Sequence, residues 1–333
     1  MRLKLGVLGA GHFGRFHVLK AAAGPRVELV GLHDHDPARA AAVAAEVGVP
    51  ALSATETIAR ADAVIVATPT AFHHGLARQA LEAGRHVLVE KPIAATLAEA
   101  DDLIALAASK GAASKGAAAK GLVLQVGHLE RFSAGFATLM GGEGGVAARV
   151  GRPLYMEAVR IAPFRPRSLD VPVVLDLMVH DIDLAFALFG APLVGVDAVG
   201  GPIASAQTDI ANARLRFGNG GVATLTASRV SLKMERRLRL FGTEGYLQMD
   251  FLARSMHVVR KGEGAALEQL PGFGAAQESW QDHDSLEAEH TGFVAACLDG
   301  APVRVDGAAG RAALDAALRV EEALAASRLA AGV

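Results

Sequence analysis

The sequence predicts an α/β chain: a doubly wound parallel sheet first, then an α+β domain built on a mainly antiparallel sheet. Three observations carry this. Apolar runs alternate with helical patterns over the first 126 residues, as a parallel sheet with helices on both faces requires. Beyond them, successive strand-like runs are joined by tight glycine turns; short turns of that kind join antiparallel neighbours. The length of 333 residues exceeds one compact core, since domains usually run to about 100–200 residues. Two domains are expected, residues 1–126 and 127–333, with the C-terminal helix free to pack back on the first.

Residues 3–8, 27–32, 63–67, 86–89 and 122–126 read as buried strands of the first half. Helical patterns lie between them at 12–23 and 72–83, and Pro37 opens another at its favoured first position. Residues 109–121 carry no large apolar side chain and read as a solvent-exposed helix extension or loop. In the second half, residues 153–161, 194–199, 210–217, 221–230, 237–241 and 246–251 read as strands. One long helical pattern, about 171–189, interrupts them, and residues 307–330 read as a final helix.

Composition narrows the function classes. Hydrophobic residues make up 51% and charged residues 20%, which suits a packed globular protein and not a disordered one. A net charge of -2 leaves no basic footprint for nucleic acid. The single cysteine, Cys297, cannot form an internal disulfide, and no paired-cysteine metal motif exists. The N-terminus lacks a secretory pattern, and no apolar stretch reaches the ~20 residues of a membrane helix. A cytoplasmic protein with no nucleic-acid or membrane partner and no metal is expected.

Gly9-Ala10-Gly11-His12-Phe13-Gly14 has the spacing G-x-G-x-x-G, directly after a strand and opening a helix. That context makes it a dinucleotide-binding loop. Gly9 permits the tight turn, Gly11 lets the backbone approach a pyrophosphate, and Gly14 lets helix and strand pack closely. Asp34 ends the second strand about 20 residues on, where an acid accepts hydrogen bonds from the ribose hydroxyls. It repels a 2′-phosphate, so NAD is favoured over NADP, although His33, His35 and Arg39 soften that preference. Asp36, before Pro37, reads as a helix cap.

Glu90-Lys91-Pro92 ends a strand, at the sheet edge where open parallel sheets bind ligands. Alone, Lys91 is an ordinary surface lysine. It follows Thr68-Pro69 with His73, and precedes Gly127-His128 with Arg131-Phe132 and Asp176 with His180, in that order. Together these resemble the Gfo/Idh/MocA oxidoreductases over practically the whole chain, from about Lys4 to Ser327. The resemblance implies an N-terminal Rossmann domain, then an α+β domain with an open-faced, mainly antiparallel sheet, and NAD(H) or NADP(H) along the crevice between them. It implies a cis peptide before Pro92 and places Lys91, Glu90, Thr68, Pro69 and His73 beside the cofactor.

Asp176, His180 and Asp183 fall at i, i+4 and i+7 of an apolar helical segment, on one face. From spacing alone a solvated polar stripe explains them as well, and a metal site lacks enough convergent ligands. The resemblance assigns Asp176 and His180 to the family's Asp-x-x-x-His catalytic motif. A histidine with a pKa near 6.5 can accept the proton of a secondary alcohol. His180 is then the general base, Asp176 its orienting partner or a substrate ligand, and Lys91 the stabiliser of the alkoxide. Asp183 supports the helix or His180, or serves as a cap or solvent contact.

His128 and Arg131, with Arg160, Arg165 and Arg167, are the expected substrate contacts, arginine being suited to phosphate or carboxylate. Each read separately is equally a surface or ion-paired residue. These segments are similar to a branch of the family that acts on UDP-N-acetylglucosamine-type substrates, some members oxidising the 3-hydroxyl to a ketone. Ser133-Ala134-Gly135 departs from the Asn-Pro-Ala of many relatives. A nucleotide-sugar dehydrogenase is therefore expected. A free-sugar or inositol dehydrogenase is the alternative, and a catalytically silent NAD(P)-binding regulator the alternative of another class. An open sheet face also suggests a homodimer or homotetramer.

Overall fold

The computed structural model describes residues 1–111, 121–165 and 171–332. It divides into two compact units, Met1–Phe132 with Asp284–Leu314, and Ser133–His283 with Asp315–Val333. The first unit thus runs to Phe132, past the expected boundary at residue 126, and the segment Asp284–Leu314 returns to it. The reason is burial. Helix α9 (Ser285–Asp299) places Phe293 and Val294 in the same apolar core as Leu3, Leu5 and Val7.

The first unit is a five-stranded parallel sheet of β1 (Leu3–Leu8), β2 (Val27–His33), β3 (Ala63–Val66), β4 (His86–Glu90) and β5 (Leu124–Gly127), in the order β2-β1-β3-β4-β5. Its strands are near-continuous apolar runs because both faces are covered; all four residues of β3 are buried. Helix α1 (His12–Ala23) follows β1. Helix α2 (Pro37–Val47) starts where Asp36 accepts from the N–H groups of Ala38 (3.0 Å) and Arg39 (3.2 Å), the cap expected of it. Helix α3 (Ala54–Arg60) has no counterpart in the sequence reading, although Ser53 and Glu56 form a capping box at its start. Helices α4 (His73–Glu82) and α5 (Leu97–Gly111) complete the layers. Most of the 109–121 stretch lies outside the described residues. Strand order reverses at β1, so the carboxyl ends of β1, β2 and β3 border one crevice.

The second unit holds two short helices, α6 (Ala134–Met140) and α7 (Gly145–Val150), and a nine-stranded sheet. The strands are β6 (Pro153–Ile161), β7 (Leu193–Gly201), β8 (Ile210–Phe217), β9 (Val222–Ser228), β10 (Glu235–Gly242), β11 (Gly245–Asp250), β12 (Ser255–Lys261), β13 (Ala265–Ala266) and β14 (Phe273–Ser279). Pairing is antiparallel except between β6 and β9. The last three strands escape the sequence reading. Phe-Gly-Ala-Ala-Gln-Glu-Ser in β14 is poor in strand formers, and pairing rather than propensity makes it a strand.

Met156, Ala158, Leu225, Leu238, Leu240, Leu247 and Met249 fill one face of this sheet. Helix α8 (Val179–Phe189) packs there against β6 and β9. The opposite face carries a row of Tyr155, Phe241 and Tyr246, with ring centroids 5.8 and 5.4 Å apart, and Arg239 lies 5.1 Å over Phe241. The long helix α10 (Gly307–Ala331) closes the chain. Among the described residues, no helix is long and apolar enough to cross a membrane.

Candidate active site

In the first unit, the glycine loop shows why each glycine stands where it does. Gly9 has φ +104°, and a Cβ on it would lie 2.4 Å from the Ala67 carbonyl oxygen. A Cβ on Gly14 would lie 2.1 Å from the Gly9 carbonyl oxygen. At Gly11 the nearest atom is Arg39 Nη1 at 4.0 Å. The first two glycines answer the protein's own backbone; the space over Gly11 is open. No side chain caps the N-terminus of α1, so its N–H groups are available to a phosphate.

A cavity of about 390 Å³ borders this loop and is lined by Gly9, Gly11, His12, Phe13, Asp34, Thr68 and Pro69, all from the predicted set. These residues fit an adenine dinucleotide: bare glycine, a helix N-terminus and a carboxylate meet at one opening. The sequence reading missed Phe72 and Leu76, which line it too. Phe13 and Phe72 are 48% and 60% exposed, flat apolar surfaces suited to a planar ring. A signal for Phe72 was present, a large apolar residue just after Thr68-Pro69, but its exposure was not.

Gly14→Ala is expected to disrupt this turn and lower the melting temperature. Gly11→Ala should leave melting nearly unchanged yet weaken NAD binding about tenfold, or 1.4 kcal/mol. Thermal melts beside cofactor titrations separate the two, and equal effects would contradict the assignment.

Asp34 is 8% exposed and accepts from Ala10 N–H at 2.7 Å and Asp36 N–H at 2.9 Å. Burial pushes its carboxyl up, but those N–H groups, with Arg39 and His35 near, outweigh burial and hold it below the usual range. Asp34 thus braces the glycine loop as well as bordering the cavity. His35 and Arg39 line the same opening, Arg39 Nη1 being 3.7 Å from Asp34.

His73 is buried and lies with Nδ1 2.8 Å from the Pro92 carbonyl and Nε2 2.8 Å from the Thr68 carbonyl. Burial holds its pKa below the ordinary value, so a neutral ring donates to one of them. It ties the loops after β3 and β4 together and does not line the cavity. The Lys91–Pro92 peptide is cis.

Glu90 turns inward. Its Oε1 lies 2.9 Å from His17 Nε2, and its Oε2 accepts from the Lys91 N–H at 3.1 Å. His17 Nδ1 lies 2.8 Å from His290 Nε2. Burial pushes Glu90 up, but His17 and Lys91 outweigh it and keep the group ionised. Glu90 was expected beside the cofactor; in the structure its part-buried carboxylate faces His17 and the Lys91 N–H.

In the second unit, Asp176 sits in a π-helical turn, Val174–Met178, that runs directly into α8 with His180. Such π-helical turns recur at functional sites. Of the three polar residues expected on one face, Asp183 is 1% exposed while Asp176 and His180 are half-buried, so a fully solvated stripe does not describe them.

Arg160, expected at the substrate, is buried. Its Nε and Nη2 donate to Asp181 at 3.0 and 2.9 Å, a two-point pair that fastens α8 to β6. His128 is 1% exposed. Arg131 donates to the Arg304 carbonyl at 3.4 Å, Arg165 is exposed, and Arg167 lies outside the described residues.

A second buried pair was not foreseen. Asp209 accepts from the N–H groups of Ile203, Ala204 and Ser205 at 2.8, 2.6 and 2.8 Å and from Arg229 Nε at 2.8 Å. Arg229 Nη1 donates to the Val171 carbonyl at 2.8 Å, at the entry to the Asp176 turn. Burial raises the Asp209 carboxyl, but these donors outweigh it and depress it strongly. Its folded pKa is therefore below the unfolded value of about 3.9, and its stabilisation, full above that value, is lost as pH falls through the acid range. Urea unfolding at neutral and acid pH should show Asp209→Asn to be less stable at neutral pH and less acid-sensitive than the parent; equal slopes would contradict this.

Fold and crevice together define a dinucleotide-dependent oxidoreductase. Residues 3–115 match the model of the oxidoreductase family with an NAD-binding Rossmann fold, GFO/IDH/MocA, and residues 148–248 match the GFO/IDH/MocA C-terminal domain. The chain belongs to this family. It is 39% identical over 325 residues to the UDP-N-acetylglucosamine 3-dehydrogenase of Acidithiobacillus ferrooxidans, covering 97% of this chain and 98% of that one. A solved structure of that dehydrogenase superposes with a TM-score of 0.86 at 40% identity over 98% of both chains. The scyllo-inositol 2-dehydrogenase (NAD(+)) of Bacillus subtilis is 27% identical over 305 residues, 87% of this chain and 85% of that one.

Proposed function

We propose that this protein is an NAD-dependent dehydrogenase that oxidises the 3-hydroxyl of UDP-N-acetylglucosamine, or of a similar nucleotide sugar, to a ketone. The observation that carries this is the 39% identity to UDP-N-acetylglucosamine 3-dehydrogenase across nearly the full length of both chains. NAD would be held by the N–H groups at the start of α1, the open space at Gly11 and the Asp34 carboxylate. Bound there, its nicotinamide supplies a hydride acceptor.

The chain's own groups would handle the proton. His180 accepts it from the reacting hydroxyl as hydride leaves the same carbon. Asp176 orients His180 or the sugar, and Lys91 stabilises the developing alkoxide. Arg131, Arg165 and Arg167 remain as candidate contacts for the diphosphate. We assign the protein to the cytoplasm, on its lone cysteine. A homo-oligomer is proposed on the aromatic row of Tyr155, Phe241 and Tyr246, a surface suited to a second copy.

The inositol dehydrogenase of Bacillus subtilis makes a free cyclitol the second substrate class. The test is NADH formation with UDP-N-acetylglucosamine, UDP-glucose, free N-acetylglucosamine and inositols. Turnover confined to UDP-sugars supports the proposal. Turnover of inositols alone favours the second class, and tight NAD binding with no turnover favours a regulator.

A further inference from the structure

Beneath Lys91 lies a group of side chains that proton transfer from substrate does not use. Glu289, on α9, is fully buried, and neither of its carboxyl oxygens has a hydrogen-bond partner. Its oxygen, one from Glu90 and a ring nitrogen of His17 all lie within 4.8 Å of one another. A buried carboxyl without partners demands an explanation.

The hydrogen bonds around it have one consistent direction. Glu90 is ionised, so His17 Nε2–H donates to it. His290 is held neutral, burial being the main cause and His17 the second, with a pKa lowered to about 3. Its Nε2 lies 2.8 Å from His17 Nδ1, so the two rings share one hydrogen bond. Lys91 N–H is the further donor to Glu90. Two carboxylates this close in an apolar interior cannot both ionise. Burial, reinforced by Glu90, raises the Glu289 carboxyl far above the usual range, so Glu289 keeps the proton and Glu90 the charge.

We propose that Glu289 is a positioning residue for Lys91: with Glu90 and His17 it forms a two-carboxyl cluster carrying a single negative charge, the counter-charge that holds the Lys91 turn in place. This rests on the proposed role of Lys91. A divalent cation could span the same three residues. In the structure, however, His17 Nε2 is engaged by Glu90 at 2.9 Å, a contact that a cation would have to displace.

The test uses the full-length enzyme loaded with NAD. The infrared difference spectrum between the parent and Glu289→Gln at neutral pH should show a protonated carboxyl stretch that the variant lacks. Glu289→Gln, neutral and equal in shape, should keep kcat within about threefold, and Glu289→Ala should lose about tenfold or more. NAD affinity should move by less than about threefold in both. Absence of the carboxyl band overturns the proposal. So does an equal loss in both variants, or a parallel loss of kcat, NAD affinity and melting temperature. If the alanine variant does not fold, the infrared band still decides. Because that band needs no substrate, it also separates this proposal from the choice of sugar.

Discussion

Replacing His180 by alanine is expected to lower kcat about 10²- to 10⁴-fold, the usual contribution of a positioned general base, while NAD⁺ binds as before. The cofactor elements, Gly9 to Gly14, Asp34, Thr68 and Pro69, all lie in the first unit, whereas His180 lies in α8 of the second. The variant therefore removes the proposed proton acceptor and leaves the residues that line the cavity beside the glycine loop unchanged. Steady-state turnover with a nucleotide sugar that the parent oxidises, beside a fluorescence titration with NADH, measures both halves. Turnover that survives the substitution would remove His180 from the base role, and lost NADH binding would point to a folding defect.

The second large effect is on stability. Arg160→Ala leaves the Asp181 carboxylate buried, with its two-point partner gone. Removing one member of a buried pair costs about 3–5 kcal/mol, because the remaining charge stays out of water. Replacing both members by apolar groups, Arg160→Met with Asp181→Leu, should recover most of that loss. Equilibrium unfolding in urea distinguishes the variants through their midpoints. A single variant within about 1 kcal/mol of the parent, the range of an exposed ion pair, would mean that the pair is solvated in solution.

What could be read from sequence was what backbone chemistry dictates locally. The glycine loop was legible because its spacing directly after a strand is a local signature, though the Ala67 carbonyl that constrains Gly9 was not, and Asp36 because a cap acts two and three residues away. Asp34 was legible as an acid at the strand end, but its bond to Ala10 N–H was not. The arginines were the weak point. Nothing in Arg160 reveals a partner 21 residues further on, so a buried anchor was read as a ligand contact. The His17–His290 contact joins residues 273 apart, and Glu289 carries no local signature of its burial. The π turn at Asp176 was hidden because a 3.6-residue period describes the segment as a whole.

The return of residues Asp284–Leu314 to the first unit bears on how this enzyme can be rebuilt. Its nucleotide half is not a contiguous cassette. A graft of the opening 132 residues onto another catalytic half would arrive without α9, leaving a gap in its apolar interior at Phe293 and His17 facing no imidazole. Recombination that preserves function needs three crossovers, after residues 132, 283 and 314, because the chain passes back and forth between the two units.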